Sequence, residues 1–134
     1  MVCFNNILDS YQKWFVGNDV RSILLADSGI TQQVKNHVFP LVAPENTVGD
    51  FILYSRQKYS KANTKQGVYE DDCLLAVVAI SDNYDNSVAL ASKIDNALTG
   101  RHNIGEYEIE LLLQDSTEEF GDNKFIQTLL FSVK

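Results

Sequence analysis

The stretch CLLAVVAISDNYDNSVALASKIDNALTG, from Cys73 to Gly100, decides the fold. Its first part, Cys73–Ile80, is apolar throughout, which predicts a strand covered on both faces. From Ser81 onward the apolar residues follow helical spacing, and Gly100 ends the pattern. The predicted stripe consists of Tyr84, Val88, Ala91, Ile94 and Leu98. A buried strand followed by an amphipathic helix predicts a helix packed on one face of a sheet. A second subunit is one candidate for covering the other face.

Two further strands are predicted downstream of this helix. GEYEIELLLQ (Gly105–Gln114) alternates strictly, KFIQTLLFSV (Lys124–Val133) alternates less cleanly, and Asp115–Asn123 between them is predicted to be a loop. The core face of the first strand is predicted to hold Tyr107, Ile109, Leu111 and Leu113. Its opposite face is predicted to hold three like charges, Glu106, Glu108 and Glu110. These carboxylates are either a solvated face or a surface that repels phosphate, such as the wall of a DNA passage.

The chain before Val34 is predicted to be helical. A first amphipathic helix is expected to end at Gly17–Asn18, and its apolar stripe is expected in the core, with a partner surface as the alternative. That stripe consists of Ile7, Leu8, Tyr11, Trp14 and Phe15. A second helical stretch follows, with Asp19 as its cap and a break at Asp27–Gly29.

The middle of the chain is predicted to be extended. HVFPLVAP is assigned away from the centre of the sheet because Pro40 cannot donate a ladder hydrogen bond, and FILYSRQKY alternates like a strand. The segment Arg56–Gly67 holds four of the eleven basic residues, and Tyr59 is its one large apolar side chain. Such a segment gains little from burial within one subunit. It is therefore either a flexible hairpin tip or an arm that becomes ordered by packing against a neighbouring subunit.

These elements together predict an α+β fold. It consists of a mostly antiparallel β-sheet with helices packed on one face and a long β-hairpin arm. Residues 1–134 are assigned to a single domain, in which residues 1–18 form an N-terminal helical extension.

Charge and composition exclude several classes of protein. The net charge of −7 is divided unevenly, with +2 over residues 1–65 and −9 over residues 66–134, and an acidic chain is a poor candidate for wrapping nucleic acid. The two cysteines, Cys3 and Cys73, do not make a disulfide framework or a zinc site. No apolar run is long enough to span a bilayer, and the N-terminus has no signal-peptide pattern. The chain is therefore expected to stay in the cytoplasm where it is made.

The sequence offers little for catalysis. His37 and His102 are interpreted as structural or solvent-exposed, and none of the common catalytic or nucleotide-binding motifs is present. YEDD, Tyr69–Asp72, is interpreted as a negatively charged strand entry rather than a metal site. We therefore expect no enzyme activity, no catalytic residue, no cofactor and no metal.

An ordered set of short motifs resembles one protein family. VFPLVAPEN, FILY, GVYEDDCLLAVVAISDNYDNSVALASKIDNALTG and FIQTLLFSV resemble the tail-completion, or tail-terminator, proteins of long-tailed bacteriophages and prophages. The resemblance covers roughly residues 20–134. Asp50 stands where that family often has proline, and the N-terminal helix with Trp14 is longer than usual. These departures leave the subtype open between a terminator of the tail tube and a neighbouring neck component.

The resemblance implies a structural role in virion assembly. Such a protein forms a homohexameric ring that caps the finished tail tube and joins it to the head–tail connector. DNA passes through its central hole without specific binding. The protein is then part of the tail or neck of the virion and is assembled in the cytoplasm of the bacterial host. The alternative outside this apparatus is a small dimeric α+β domain that binds a ligand or acts as an adaptor.

Charge and length, rather than the family, suggest which residues make the subunit contacts. The predicted interface on the arm consists of Arg56, Lys58, Tyr59, Lys61 and Lys65. Its acidic partner on a neighbouring subunit, or else part of the lumen wall, is predicted to consist of Glu106, Glu108 and Glu110.

Overall fold

The computed structural model describes residues 10–63 and 69–134. The described residues form four helices and six strands. The helices are α1 Ser10–Trp14, α2 Val16–Ala26, α3 Ser28–Val34 and α4 Tyr84–Leu98. The strands are β1 Val38–Pro40, β2 Phe51–Asn63, β3 Tyr69–Ser81, β4 Gly100–Ile104, β5 Tyr107–Gly121 and β6 Lys124–Val133.

All six strands join one sheet in the order β1-β2-β3-β6-β5-β4. Only the pair β1–β2 is parallel, and the sheet curls into a half-barrel with the helices on one face. The predicted α+β class is therefore confirmed. Pro40 ends the edge strand β1, where its missing N–H costs no ladder hydrogen bond.

The core lies between the sheet and the helices. Alternate residues of β3, namely Leu75, Val77 and Ala79, are fully buried on the helix side. They pack in one cluster with buried residues of α2 and α4. The buried residues of α4 are Ser87, Leu90, Ile94 and Leu98.

The predicted stripe of α4 is wrong at its N-terminal end. Tyr84 and Val88 are exposed, whereas Ser87 is buried and its hydroxyl donates to the Tyr84 carbonyl at 2.7 Å. A serine whose hydroxyl bonds to its own helix carries no unsatisfied donor into the core, so a polar residue takes a core position.

The boundary between the first two helices also differs from the prediction. The break falls at Phe15, and α2 runs through Gly17 and Asn18. A Cβ atom at Gly17 would approach the Tyr54 ring to 3.0 Å, so this glycine allows a close helix–strand approach and does not stop the helix. Asp19 lies in the first turn of α2 and is not its cap. The predicted break at Asp27 is confirmed, because its side chain accepts from the Ile30 N–H at 3.1 Å.

The apolar stripe of the first helix was expected in the core, and this is wrong for the residues that the structure describes. Trp14 is 55% exposed and Phe15 is 49% exposed. Ile7, Leu8 and the side chain of Tyr11 lie outside the described part of the chain. Helical periodicity indicates an amphipathic helix but does not identify what covers its apolar face.

The predicted long hairpin is confirmed. Strands β2 and β3 pair from Phe51–Ile80 to Asn63–Tyr69, with a bulge between Arg56 and Lys58. Its tip, residues 64–68, lies outside the described residues, and so does Lys65.

Candidate assembly surfaces

The base of the hairpin arm packs against the end of α1 in the same subunit. The Arg56 guanidinium lies 4.1 Å from the centre of the Trp14 ring, and its Nη1 donates to the Trp14 carbonyl at 3.3 Å. The Trp14 ring meets the Tyr59 ring edge-on at 5.7 Å, and Tyr59 packs against the core. The expectation that this segment has almost nothing to bury within its own subunit is therefore wrong for Tyr59.

The arm also carries nearly as many acidic residues as basic ones. Lys58 Nζ lies 3.0 Å from Asp72 Oδ2, and Lys61 pairs in register with Asp71. The side chain of Lys61 lies outside the described part of the chain. Over residues 56–72, four basic residues stand against three acidic ones, which leaves a net charge of only +1. The basic residues of β2 lie close together in the sequence, whereas Asp71 and Asp72 of β3 come to lie opposite β2 only through the register of the hairpin.

The predicted acidic face divides into two parts. Glu106 lies in the turn between β4 and β5, so it does not share the strand face of Glu108 and Glu110. Arg101 on β4 contacts both strand glutamates, with Nη1–Oε1 and Nε–Oε2 distances of 3.5 Å. This face is therefore partly neutralised within the subunit.

A more strongly acidic surface lies where the sequence analysis predicted a loop. Strand β5 continues to Gly121, and Asp122 and Asn123 form a two-residue turn with φ values of 52° and 61° before β6 begins. Two central residues with positive φ are typical of a type I′ hairpin, and the Asp-Asn pair before β6 was the missed sequence signal. We call residues 115–125 the hairpin end. Its exposed acidic residues are Asp115, Glu118, Glu119 and Asp122.

Aromatic rings pack at this hairpin end. The Phe120 and Phe125 rings are 4.8 Å apart between centroids, and the Tyr84 ring meets Phe125 edge-on at 5.7 Å. The Tyr84 hydroxyl donates to Glu118 Oε2 at 3.0 Å, and this bond, together with the glutamate charge, raises the pKa of Tyr84. Phe120 remains 60% exposed, so the hairpin end presents an apolar ring among carboxylates.

A groove opens at the other end of the sheet, where β1 ends and the pairing of β2 with it stops at Tyr54. We call it the edge groove. Its volume is about 480 Å³, and its lining includes Trp14, Phe15, Pro40, Leu41, Tyr54 and Arg56. Leu41 is 71% exposed and has a φ of 64°, a left-handed backbone that leucine rarely adopts.

Asp50 and Asp19 form hydrogen bonds that connect elements of the fold. Asp50 accepts from Gln33 Nε2 at 2.6 Å and from Ser81 Oγ at 2.7 Å, which joins α3 to the ends of β2 and β3. Asp19 accepts from the Tyr107 hydroxyl at 2.8 Å. Burial raises the pKa of Asp19, and the bond from Tyr107 opposes this in part.

The two histidines occupy structural positions, as predicted. The ring of His102 bonds through Nε2 to the Leu98 carbonyl at 2.7 Å, at the C-terminal end of α4, and His37 stacks on Phe39. Among residues 10–63 and 69–134, no His, Cys, Asp and Glu side chains form a metal-binding group. The side chains of Glu70 and Asp71 lie outside the described set. No helix of the described chain is both long enough and apolar enough to cross a membrane.

Comparison with known proteins gives a match of fold. No family model and no curated protein matches this chain. A solved structure described as "Virion of native gene transfer agent (GTA) particle" contains a chain that is 17% identical and superposes with a TM-score of 0.70. The match covers 85% of this chain and 89% of that chain. The half-barrel sheet with helices on one face is therefore a fold that also occurs in a virion particle.

Proposed function

We propose that this protein is a structural component of a phage or prophage virion, and specifically the tail-completion protein of a long tail. In this role, copies of the chain form a homohexameric ring that caps the tail tube and joins it to the head–tail connector. The protein acts by stoichiometric binding and not as an enzyme. The observation that carries the proposal is the fold shared with a chain of the gene transfer agent virion, over nearly the full length of both chains. The ordered motifs that resemble tail-terminator proteins support the finer assignment.

The surfaces of the chain agree with assembly. Apolar side chains that a lone subunit leaves exposed lie both at the edge groove and at the hairpin end, and contiguous exposed apolar surface often marks an interface. The long hairpin extends past Leu74, where the pairing of β3 with β6 begins, so it is placed to contact a neighbour. A net charge of −7 suits a passage for DNA, because it gives the phosphate backbone no broad attractive surface.

The first experiment is the solution mass of the chain, measured by light scattering across concentration, alone and with the tail-tube protein of the same phage. We expect a six-fold mass that forms either in solution or on the tube. Binding to the connector protein but not to the tube would move the assignment to a neck component. A stable dimer that binds neither protein would contradict the proposal and favour the dimeric adaptor domain.

A further inference from the structure

We propose that the edge groove of one copy binds the hairpin end of a second copy, with Phe120 seated against Trp14 and Leu41. The carboxylates of the hairpin end then face Arg56. This inference deepens the ring proposal and rests on it, because it names the two surfaces that join neighbouring subunits. It replaces the Glu106–Glu110 face with the hairpin end as the acidic partner.

Exposure indicates that both surfaces are incomplete in a single subunit. Trp14, Phe15 and Leu41 line the edge groove, and each is about half exposed or more. At the other surface, the exposed Phe120 packs on Phe125, which also contacts the exposed Tyr84 ring. One surface is concave with an aromatic lining, and the other lies on the far half of β5, beyond its pairing with β4, and carries an exposed aromatic side chain. Large aromatic side chains that fill pockets are the usual centres of protein interfaces.

Charge supports the same pairing. The edge groove includes the exposed Arg56, whereas the hairpin end carries four exposed carboxylates and one basic residue, Lys124. Lys124 is already bonded to Asp82 at 2.6 Å, so it does little to offset those carboxylates. A second copy of this chain therefore offers a partner whose acidic, aromatic hairpin complements a groove of aromatic residues and an arginine.

The two surfaces belong to different ends of one sheet. Strand β2 is three strand spacings from β5, about 14 Å along the sheet. The strand pairings run from Tyr54 to Val77, then to Leu129 and then to Ser116, so Tyr54 and Ser116 lie at the same height in the sheet. Phe120 is four residues beyond Ser116, which is about 13 Å along the strands. The contact is therefore heterologous between copies, and heterologous contacts generate rings when the rotation closes.

The backbone at Leu41 gives an independent reason to assign function to the groove. An exposed leucine in a left-handed conformation is unfavourable both for its backbone and for its side chain. Strained residues of this kind cluster at binding surfaces. Asparagine or aspartate tolerates the same backbone better, so the backbone alone does not account for a leucine here. We assign the role to its apolar side chain, which lines the edge groove.

The test uses two variants of the full chain. Leu41→Asp places a carboxylate in the edge groove with less backbone strain than the leucine has, and Phe120→Thr removes the exposed ring while keeping a residue that favours strands. Val48→Asp is the matched control for the first, because Val48 lies in the same loop, is 80% exposed and does not line the groove. Leu112→Thr is the control for the second, on the opposite face of β5. Unfolding temperatures verify that each variant is folded, and Glu119→Lys replaces Phe120→Thr should that variant not fold.

Masses by light scattering decide the outcome. We expect the wild type and both controls to associate, and each of the two variants alone to remain a monomer. A mixture of the two variants is expected to give a 1:1 dimer that grows no further, since the wild-type groove of one meets the wild-type hairpin of the other. A wild type that stays monomeric without the tube, or variants that assemble like the wild type, would overturn the proposal. In the latter case the ring proposal survives, because its own test is a six-fold mass, which other contacts between subunits could also produce.

Discussion

At the scale of single residues, the bond between Asp19 and Tyr107 joins α2 to the start of β5 across 88 positions of sequence. Burial favours the neutral form of the carboxyl and outweighs the hydrogen bond, so the pKa of Asp19 is higher in the folded chain than in the unfolded chain. An acid with a raised pKa binds its proton more tightly when folded. Its contribution to stability is therefore present below its unfolded pKa and is lost as pH rises through the folded value.

Asp19→Asn provides the corresponding test. The amide oxygen still accepts from the Tyr107 hydroxyl, but it carries no charge to desolvate. We expect the free energy of unfolding of Asp19→Asn, relative to that of the wild type, to increase as pH rises from 3 to 7, because the wild type loses stability in the window just above the ordinary aspartate pKa of about 3.9. Urea unfolding at a series of pH values measures this difference. A constant difference across that range would show that Asp19 titrates alike in both states.

At the scale of elements, the hairpin arm permits a test that separates its own stability from its role in assembly. Lys58→Glu breaks the pair with Asp72, whereas the double variant Lys58→Glu/Asp72→Lys restores that pair with reversed polarity. Because both side chains are about half exposed, we expect the single change to cost the monomer less than about 1 kcal/mol. If the arm contacts a neighbour through charge, both variants weaken assembly on the tail tube.

Co-sedimentation with the tube measures that assembly, and chemical unfolding of the monomer gives the stability. Reduced assembly of the double variant at wild-type stability supports a contact outside the subunit. Wild-type assembly of the double variant would remove the charge of Lys58 from the interface. The same approach extends to Lys61 and Lys65 by reversing each to glutamate.

The elements differ in how far the sequence determines them. Strand β3 was predicted from its continuous apolar run and helix α4 from its periodicity, because burial leaves a direct pattern in the apolar residues. The far half of β5 was missed because nothing covers it in one subunit, so Asp115–Phe120 carries no alternation of buried and exposed residues. The stripe with Trp14 and Phe15 was assigned to the core because it does have helical periodicity. An apolar stripe that packs in the core and one that faces a partner have the same spacing in the sequence.

The candidate surfaces were less predictable than the fold. Four basic residues stand out in the sequence between Arg56 and Gly67, but Lys58 and Asp72 become neighbours only through the register of the hairpin. The same holds for Arg101, which reaches Glu108 and Glu110 from the adjacent strand. Pairing between strands therefore changed the electrostatic interpretation more than any local motif did.

At the scale of the whole molecule, the charge distribution predicts weak contact with nucleic acid. The net charge is −7, and residues 56–72 of the arm carry only one more basic than acidic residue. We expect no saturable binding of duplex DNA at physiological salt, measured by fluorescence anisotropy with a labelled duplex. Lowering the salt tests for a local basic patch, because phosphate contacts strengthen as salt falls. Saturable binding at physiological salt would contradict a passive passage for DNA.

The position of β6 has a consequence for the order in which the molecule is completed. It lies between β3 and β5, yet the ribosome makes it after both of them and after every other strand in the sheet. During synthesis, β1–β3 and β4–β5 are two partial sheets with no ladder between them, and the inner edge of each is open. Open edges pair readily with the wrong chain. Insertion of β6 closes both edges at once, so the sheet has no protected inner edge until its last strand has joined it.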